Sequence, residues 1–237
     1  MKKNIPNFIT LLNLSSGLIA LYFVFQQNWN LTALFVALGI FFDYLDGFVA
    51  RSLQAYSKVG LELDSLADMI TSGVVPAFTM FFLIKESLIQ HQISGKTVDL
   101  LPFAGLFIAL GSAYRLAKFN VDERQTESFI GLPTPANAIF ILSLPLIIFT
   151  QQIESINQII FQPYFLIFLS LLSAYILNAE IPLFSLKFKN FTWRNNPEKY
   201  ILIAVSLLLL IVLRYLAVPF IIIFYILLSI FYKKQSK

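Results

Sequence analysis

Long apolar segments follow one another along this 237-residue chain, separated by short polar connections. A helix needs about 20 mostly apolar residues to cross the hydrocarbon core of a bilayer. The pattern predicts eight membrane-spanning helices, at residues 8–26, 31–50, 62–84, 100–118, 134–150, 159–180, 199–213 and 215–232. The last two segments are short and meet near Arg214, where one long kinked helix is the alternative. Because no linker or repeat divides the chain, we expect an all-α integral membrane protein in which residues 1–237 form a single helical bundle.

The composition agrees with a lipid environment. Of all residues, 58% are hydrophobic and 13% are charged, and the mean hydropathy is +0.77. Soluble domains are about 45–50% apolar and roughly 25% charged, so a single soluble core would not bury this excess. The sequence contains no cysteine, which excludes disulfides and thiolate metal sites. Any bound metal therefore rests on oxygen ligands or on His91, the single histidine.

Basic residues divide unevenly between the two sides that the eight-helix arrangement defines. With a cytoplasmic N-terminus, Lys85, Lys96 and Arg214 are the three of 17 basic residues that fall outside. Cytoplasmic loops are enriched in Lys and Arg. The distribution thus predicts a multi-pass protein of the cell membrane, such as the bacterial inner membrane, with both termini in the cytoplasm. In that setting the net charge of +4 reflects topology, and we expect no nucleic-acid partner.

Four aspartates cluster where the second and third predicted helices reach the cytoplasmic side. Asp43 and Asp46 are three residues apart, and Asp64 and Asp68 are four apart. These spacings place each pair on one helical face, and the short connection lets the two faces meet. Converging carboxylates repel one another unless cations are bound, and hard divalent ions prefer oxygen ligands. The cluster predicts a site for Mg²⁺ or Mn²⁺, with two ions as the usual arrangement for displacement at phosphorus. Solvated charges at helix ends are the alternative.

The residues around these aspartates carry a family resemblance. The stretch reads Asp43-Tyr-Leu-Asp46-Gly47-Phe-Val-Ala50-Arg51, then eight residues, then Gly60-Leu-Glu-Leu-Asp64-Ser-Leu-Ala-Asp68. It resembles, at every defined position, the D-x2-D-G-x2-A-R-x8-G-x3-D-x3-D signature of the CDP-alcohol phosphatidyltransferases. The resemblance implies an enzyme in which all four aspartates bind the metals. It also implies that Asp68 acts in catalysis, helping to remove the proton of the acceptor alcohol.

The smaller residues of the same stretch suit a nucleotide. Gly47 and Ala50 lack bulk, so a nucleotide can lie against the helix backbone, and Arg51 offers a planar fork to a pyrophosphate. Gly60 opens space where the third predicted helix begins. We therefore expect these four residues to bind CDP-diacylglycerol, the donor that the resemblance implies.

Two later stretches indicate the acceptor. The fourth predicted helix ends in Arg115-Leu-Ala-Lys118-Phe-Asn120, and Phe-Ile-Gly-Leu-Pro-Thr134-Pro-Ala follows it. Both are similar to the R-x-A-R-F-N and F-x-G-L-P-x-P-A patterns of the family members that use serine, with Lys118 where Arg is commoner. The resemblance implies a homodimeric enzyme that transfers the phosphatidyl group of CDP-diacylglycerol to the hydroxyl of L-serine and releases CMP.

A zwitterionic serine needs a cationic partner for its carboxylate beside the metal site. We therefore predict that Arg115 and Lys118, with Asn120 and Thr134, bind serine. Ordinary cytoplasmic positive charge is the alternative for the two cations, and a structural role as helix caps is the alternative for Asn120 and Thr134.

Two other functions compete with this prediction. A sibling enzyme would use glycerol phosphate or inositol phosphate, but a phosphorylated acceptor calls for a denser basic pocket than Arg115 and Lys118 offer. A cation transporter would line a path with aspartates near the bilayer midplane, between broken helices. Here the four aspartates are instead predicted to lie at one face of the membrane.

Overall fold

The computed structural model of the protein describes residues 4–95, 98–122, 128–151, 153–184, 192–193 and 196–235. The α-helices are α1 Asn4–Phe25, α2 Trp29–Ser52, α3 Lys58–Asp68, α4 Val75–Gln90, α5 Phe107–Val121, α6 Thr134–Pro145, α7 Glu154–Ile160, α8 Pro163–Asn178, α9 Pro197–Leu213 and α10 Ala217–Gln235. Wider π-helical turns connect α3 to α4 and follow α6, at Met69–Val74 and Leu146–Gln151. Tighter 3₁₀ turns precede α5 and connect α9 to α10, at Val98–Leu106 and Arg214–Leu216. The all-α class is confirmed, and the chain is a multi-pass membrane protein.

The predicted count of eight membrane spans is not confirmed. By length and composition, the described part of the chain holds six helices able to cross a membrane, and seven if a bent pair counts as one span. That pair is α7 and α8, which meet at 65° where residues 159–180 were predicted to form one span. The break falls just before Pro163, which has no backbone N–H to continue a preceding helix.

The last helical stretch, Pro197–Tyr232, counts as one candidate span of 36 residues. At 1.5 Å per residue it would extend about 54 Å, well beyond the hydrocarbon core of a bilayer. The stretch is interrupted at Arg214, where φ is +51°, and α9 packs against α10. The side-chain amide of Gln151 holds the turn, donating to the Leu213 carbonyl at 3.0 Å and accepting from the Leu216 N–H at 3.2 Å. The two helices therefore form a hairpin, the C-terminal hairpin, rather than one kinked helix.

Helix α1 packs against both α2 and α3 and brings the first third of the chain together. Helices α1 and α2 also come close to Thr71, in the turn after α3, because each presents a glycine there. A Cβ at Gly17 would overlap the hydroxyl of Thr71, and one at Gly39 would lie 2.6 Å from the Thr71 Cγ2. Small residues let membrane helices approach closely, and van der Waals packing supplies much of their attraction.

The π-helical turn Met69–Val74 has a cause in the sequence. Pro76 lies in the first turn of α4 and cannot donate the hydrogen bond that a continuous helix would require. The wider turn instead lets the Val75 N–H bond to the Ile70 carbonyl, five residues back. It also moves Thr71 into the contact with α1 and α2.

A short antiparallel ladder adds to the predicted all-α fold. β1, Ser128–Ile130, pairs with β2, Pro182–Phe184. Gly131 follows β1 with φ +76°, a conformation that glycine adopts without strain. A Cβ there would overlap the Leu177 carbonyl oxygen. The ladder thereby fixes the start of α6 beside the end of α8.

Candidate active site

Three of the four predicted metal ligands converge. Asp43 and Asp46 of α2 and Asp64 of α3 each offer a carboxylate oxygen within 4.8 Å of the others. Asp46 is buried, with 7% of its surface exposed, whereas the other two are half-buried. Asp43, Asp46 and Asp64 thus meet as their helical spacings predict, and their binding of a metal stays a prediction. Because carboxylates at this separation repel one another strongly in a low-dielectric setting, the arrangement requires protons or a cation.

The donor set fits a divalent cation. One oxygen of Asp64, Oδ1, is shielded from solvent and has no hydrogen-bond partner among the described residues. A buried carboxylate oxygen without a partner is costly. A hard divalent ion would supply that partner, since all three residues offer oxygen atoms.

Helix α1 supplies a polar side chain to the cluster that the sequence patterns did not single out. The Thr10 hydroxyl donates to Asp46 Oδ2 at 2.5 Å and lies 3.1 Å from the Pro6 carbonyl oxygen. Thr10 itself is 3% exposed. It therefore restrains one Asp46 oxygen and leaves the other for the cluster.

Asp68 lies beside the cluster rather than within it. The Asn13 side-chain amide donates to Asp68 Oδ1 at 3.2 Å, and the Thr71 hydroxyl donates to Asn13 Oδ1 at 2.8 Å. Because Thr71 engages the amide oxygen, the Asn13 NH₂ group must face Asp68. Asp68 is close enough to interact electrostatically with Asp64 and with Arg115. Its role as a metal ligand stays a prediction.

The predicted nucleotide-binding residues lie beside the aspartates on the same two helices. A Cβ at Gly47 would meet the Arg51 guanidinium at 3.5 Å, an ordinary contact, so this face has room for a ligand. Arg51 is exposed near the end of α2, and Ala50 precedes it. The space around Gly60 is smaller, because a Cβ there would lie 2.9 Å from the Asn7 side-chain oxygen of α1. Gly60 thus permits a close approach between α1 and α3.

The predicted serine-binding residues divide into two groups. Arg115 is 7% exposed and Thr134 is 1% exposed. The Arg115 Nε and the Thr134 Oγ1 are shielded and have no hydrogen-bond partner among the described residues. Arg115 lies over the Phe119 ring, 5.9 Å from its centroid. Thr134 does not cap α6, since the residue at the cap position is Pro133 and no side chain bonds there. Both side chains keep hydrogen-bonding capacity for a ligand.

The second group is more exposed. Lys118 is half-buried near the end of α5. The Asn120 side-chain amide donates to the Ser65 hydroxyl at 2.9 Å. Ser65 directly follows Asp64, so this hydrogen bond ties the end of α5 to the carboxylate helix.

Three residues near the site were not predicted from the sequence: Thr10, Asn13 and Thr71. For Thr10 and Asn13 a signal existed, because polar side chains three residues apart on an apolar helix share one face. Thr71 lies three residues after Asp68, so the same signal existed there.

Apolar helices around a cluster of oxygen ligands define the class: a multi-pass membrane protein with a carboxylate site for a divalent cation. Over residues 3–181 the chain matches the family described as CDP-alcohol phosphatidyltransferase. Because the match covers most of its length, the chain belongs to that family.

Curated relatives carry closely related names. A CDP-diacylglycerol–serine O-phosphatidyltransferase of Bacillus subtilis (strain 168) is 37% identical over 135 residues, which is 55% of this chain and 69% of the relative. One of Methanocaldococcus jannaschii is 31% identical over 156 residues, 66% of this chain and 67% of the relative. An archaetidylserine synthase of Methanothermobacter thermautotrophicus is 29% identical over 153 residues, 64% of this chain and 61% of the relative.

Proposed function

We propose that this protein transfers the phosphatidyl group of CDP-diacylglycerol to the hydroxyl of L-serine, giving phosphatidylserine and CMP. The observation that carries the proposal is a buried cation, Arg115, whose Nε has no hydrogen-bond partner among the described residues. Arg115 lies on α5, which packs against the π-helical turn that follows Asp68. Such a pair suits an acceptor with a hydroxyl at one end and a carboxylate at the other. The relatives' names support it, because serine appears both in those that specify diacylglycerol and in the archaetidyl enzyme.

The cofactor of the proposed reaction is Mg²⁺ or Mn²⁺, bound as two ions. Asp43, Asp46 and Asp64 would hold them, with Asp68 at the edge of the cluster. Bound there, divalent ions would neutralise the charge on the pyrophosphate and on the leaving CMP.

The nucleotide end of the donor is assigned to α2 and the start of α3. Arg51 pairs with the pyrophosphate, because a guanidinium matches two phosphate oxygens at once. Gly47 and Ala50 leave the helix surface low enough for the nucleotide to approach. Gly60 keeps α1 and α3 close on the same side. The diacyl tails remain in the surrounding lipid.

The chemical step is assigned to Asp68. The serine oxygen attacks the phosphorus that carries the diacylglycerol, the bond from this phosphorus to the CMP oxygen breaks, and the serine proton passes to the Asp68 carboxylate. Asn13 restrains one Asp68 oxygen at 3.2 Å, which leaves the other for the proton. A base held in this way loses less orientational freedom in the transition state.

The acceptor is assigned to α5 and the start of α6. The Arg115 guanidinium pairs with the serine carboxylate, and the Thr134 hydroxyl donates to it. Lys118 adds positive charge at the mouth of the site. Asn120, fixed through its NH₂ group by Ser65, offers its side-chain oxygen to the serine ammonium. The alternative acceptors glycerol phosphate and inositol phosphate lack the amino group and carry a doubly charged phosphate.

The proposed setting is the cell membrane, with both termini and the site on the cytoplasmic side and with a homodimer as the assembly. Several basic residues on which this topology depends lie outside the described residues, namely Lys2, Lys3, Arg124, Lys187, Lys189, Arg194 and Lys237. Reporter fusions after Gln90 and after Gln235 should report opposite sides of the membrane. Reporters on the same side would contradict the topology.

The enzymatic test uses the purified full-length protein in lipid vesicles. CMP release is measured with CDP-diacylglycerol and Mg²⁺ or Mn²⁺, adding serine, ethanolamine, glycerol phosphate or inositol phosphate in separate reactions. We expect release with serine, little with ethanolamine because it lacks the carboxylate, and none in excess chelator. Preference for a phosphorylated alcohol would retain the family and overturn the acceptor. Metal-dependent cation flux into the vesicles without CMP release would favour the transporter.

A further inference from the structure

Two polar side chains lie deep in the bundle, and the proposed function gives them no role. Ser112 of α5 is 0% exposed and Asn137 of α6 is 1% exposed. The Ser112 Oγ and the Asn137 Nδ2 have no hydrogen-bond partner among the described residues. A serine hydroxyl inside a helix can bond to the carbonyl four residues back, as Ser170 does to Leu166 at 2.9 Å. Because a buried polar atom without a partner is costly, both atoms are candidates for contact with a ligand.

One turn of α8 holds both side chains in place. The Ser173 hydroxyl donates to the Asn137 Oδ1, so the NH₂ group of this amide is the part left to donate. A Cβ at Gly111, the residue before Ser112, would lie 3.0 Å from the Ala174 Cα. Since Ser173 and Ala174 are consecutive, Asn137 and Ser112 lie at the same level of the bundle.

The proposed partners of the acceptor carboxylate lie one helical turn away. Arg115 is three residues after Ser112, and Thr134 is three residues before Asn137. Residues three apart on a helix are neighbours on one face. Arg115 and Thr134 both lie toward the end of the bundle where residues 122–133 join α5 to α6. Ser112 and Asn137 therefore form a second layer, the deep layer, about 4.5 Å further along the helix axes.

The deep layer also adjoins the side that carries the proposed base. A Cβ at Gly73 would lie 3.1 Å from the Ser112 Cβ, so these two residues are in close contact. Gly73 belongs to the π-helical turn Met69–Val74, which begins directly after Asp68. The deep layer thus packs against the turn that follows Asp68, on the side of the bundle that also holds Arg115.

We propose that Ser112 and Asn137 bind the carboxylate of the acceptor, as a second layer of donors below Arg115 and Thr134. The inference deepens the proposed function and rests on it, because it takes serine as the acceptor. An ionised carboxylate has about four lone-pair sites, one for each of the four side chains. Donors that find partners only in the correct substrate make a site selective for it. The competing roles are packing alone for Ser112 and a tie between α6 and α8 for Asn137.

Ser112→Ala separates binding from packing in the purified full-length protein in lipid vesicles. With CDP-diacylglycerol and Mg²⁺, kcat/KM for serine should fall about three- to tenfold, as loss of one hydrogen bond gives. The KM for CDP-diacylglycerol and turnover with ethanolamine, which has no carboxylate, should not change. The unfolding temperature should not fall, because the lost hydroxyl has no partner in the described part of the free protein.

The matched control is Ser170→Ala. Ser170 is also 0% exposed, but its hydroxyl is bonded within its own helix. This variant should keep the serine kinetics of the wild type. Unchanged serine kinetics in Ser112→Ala, or an equal fall in the control, would overturn the role of Ser112.

Two further variants separate binding by Asn137 from its tie to α8. Asn137→Asp keeps an oxygen for Ser173 but replaces the NH₂ group with an acceptor that repels a carboxylate, so kcat/KM for serine should fall more than tenfold. Ser173→Ala removes the tie and keeps the NH₂ group, so the fall should be less than threefold. If Asn137→Asp does not fold, Asn137→Ala takes its place, with an expected fall of about three- to tenfold. A fall in Ser173→Ala as large as in the Asn137 variant would overturn the role of Asn137.

The wild type tests the proposed function separately. If it uses serine and the variants show no selective change, the proposed function stands and the inference fails. If it uses glycerol phosphate or inositol phosphate instead, serine falls as the acceptor and the same variants are measured with that alcohol. A selective rise in its KM would retain the deep layer as an anion site, and an unchanged KM would overturn it. Absence of CMP release with every alcohol would overturn both.

Discussion

The carboxylate region and the acceptor region of this protein are built in different ways. The carboxylate region takes its side chains from three consecutive helices and the π-helical turn that follows them: Thr10, Asn13, Asp43, Asp46, Asp64, Asp68 and Thr71. The acceptor region takes its side chains from the end of α5 and the start of α6: Arg115, Lys118, Asn120 and Thr134. The first region is contiguous in sequence, whereas the start of α6 in the second is held by the pairing of β1 with β2, more than fifty residues further along the chain.

The two regions also differ in how their polar atoms are paired. In the carboxylate region, Thr10 and Asn13 donate hydrogen bonds to Asp46 and Asp68, and Thr71 orients Asn13. The oxygen there without a partner among the described residues, Asp64 Oδ1, belongs to the carboxylate group that fits a cation. In the acceptor region, the Arg115 Nε and the Thr134 Oγ1 have no partner among the described residues. Preorganised ligands favour chemistry that every member of a family shares. Polar atoms that gain hydrogen-bond partners only from the correct substrate make a site selective for that substrate, because a wrong substrate leaves them unpaired.

The largest expected effect concerns the carboxylate region. Changing Asp43, Asp46 or Asp64 to Asn removes one negative charge and keeps the shape. Each variant should lose a factor of about 10² or more in kcat while still folding, because charge stabilisation at the phosphorus depends on the cluster. The measurement is CMP release together with the unfolding temperature.

The matched control for these variants is Glu62→Gln, on the exposed face of α3. It makes the same chemical change outside the cluster and should leave kcat unchanged. Near-normal turnover in any two of the three aspartate variants would contradict the role of the cluster. Loss of activity in the control would point to net charge rather than the site.

The next effect separates the two regions. Arg115→Ala should raise the KM for serine sharply, because a carboxylate deprived of its cation in a buried site costs about 2–5 kcal/mol. The KM for CDP-diacylglycerol should change little, and Arg51→Ala should show the opposite bias. Lys85→Ala, an exposed cation on α4, is the control. If Arg115→Ala leaves serine kinetics unaltered, Arg115 does not bind the acceptor.

A smaller effect is expected at Asn13. Asn13→Ala removes the donor to Asp68 and the acceptor for Thr71, so Asp68 loses its fixed orientation. A hydrogen bond to a charged group contributes about 1.5–3 kcal/mol, which predicts a fall in kcat of roughly tenfold or more with both KM values retained. Ser15→Ala, which removes a hydroxyl bonded within the same helix, should not change kcat. A raised KM for CDP-diacylglycerol in Asn13→Ala would place Asn13 at the nucleotide instead.

The smallest effect concerns the link between the regions. Asn120→Ala should raise the KM for serine a few-fold, and Ser65→Ala should raise it less, because Ser65 only orients the Asn120 amide. Loss of one neutral hydrogen bond costs about 0.5–1.5 kcal/mol. Equal effects in the two variants, with the serine KM unchanged and the unfolding temperature lowered, would show that Asn120 only ties α5 to α3.

The same contrast explains what the sequence could predict. The meeting of Asp43 and Asp46 with Asp64 followed from helical spacing and a short connection, both of which are local. The positions of Thr134 and of the C-terminal hairpin could not be predicted, because they depend on the β1–β2 ladder and on the turn at Arg214. Neither feature has a hydrophobic period that would reveal it.

The span boundaries show the same limit. α1 and α2 begin and end within a few residues of their predicted bounds. The π-helical turn after Asp68 and the bend before Pro163 were missed, because hydropathy records the apolar character of a segment and not the backbone hydrogen bonds that Pro76 and Pro163 interrupt.

The central claim is that the carboxylate cluster and Arg115 together act on a donor and a serine acceptor. The most direct measurement is the rate of CMP release by the purified protein in vesicles with CDP-diacylglycerol, with and without serine, in divalent cation and in chelator. The account predicts release that requires both serine and the cation, with phosphatidylserine formed in equal amount. Release that proceeds equally without serine, or that persists fully in chelator, would contradict it.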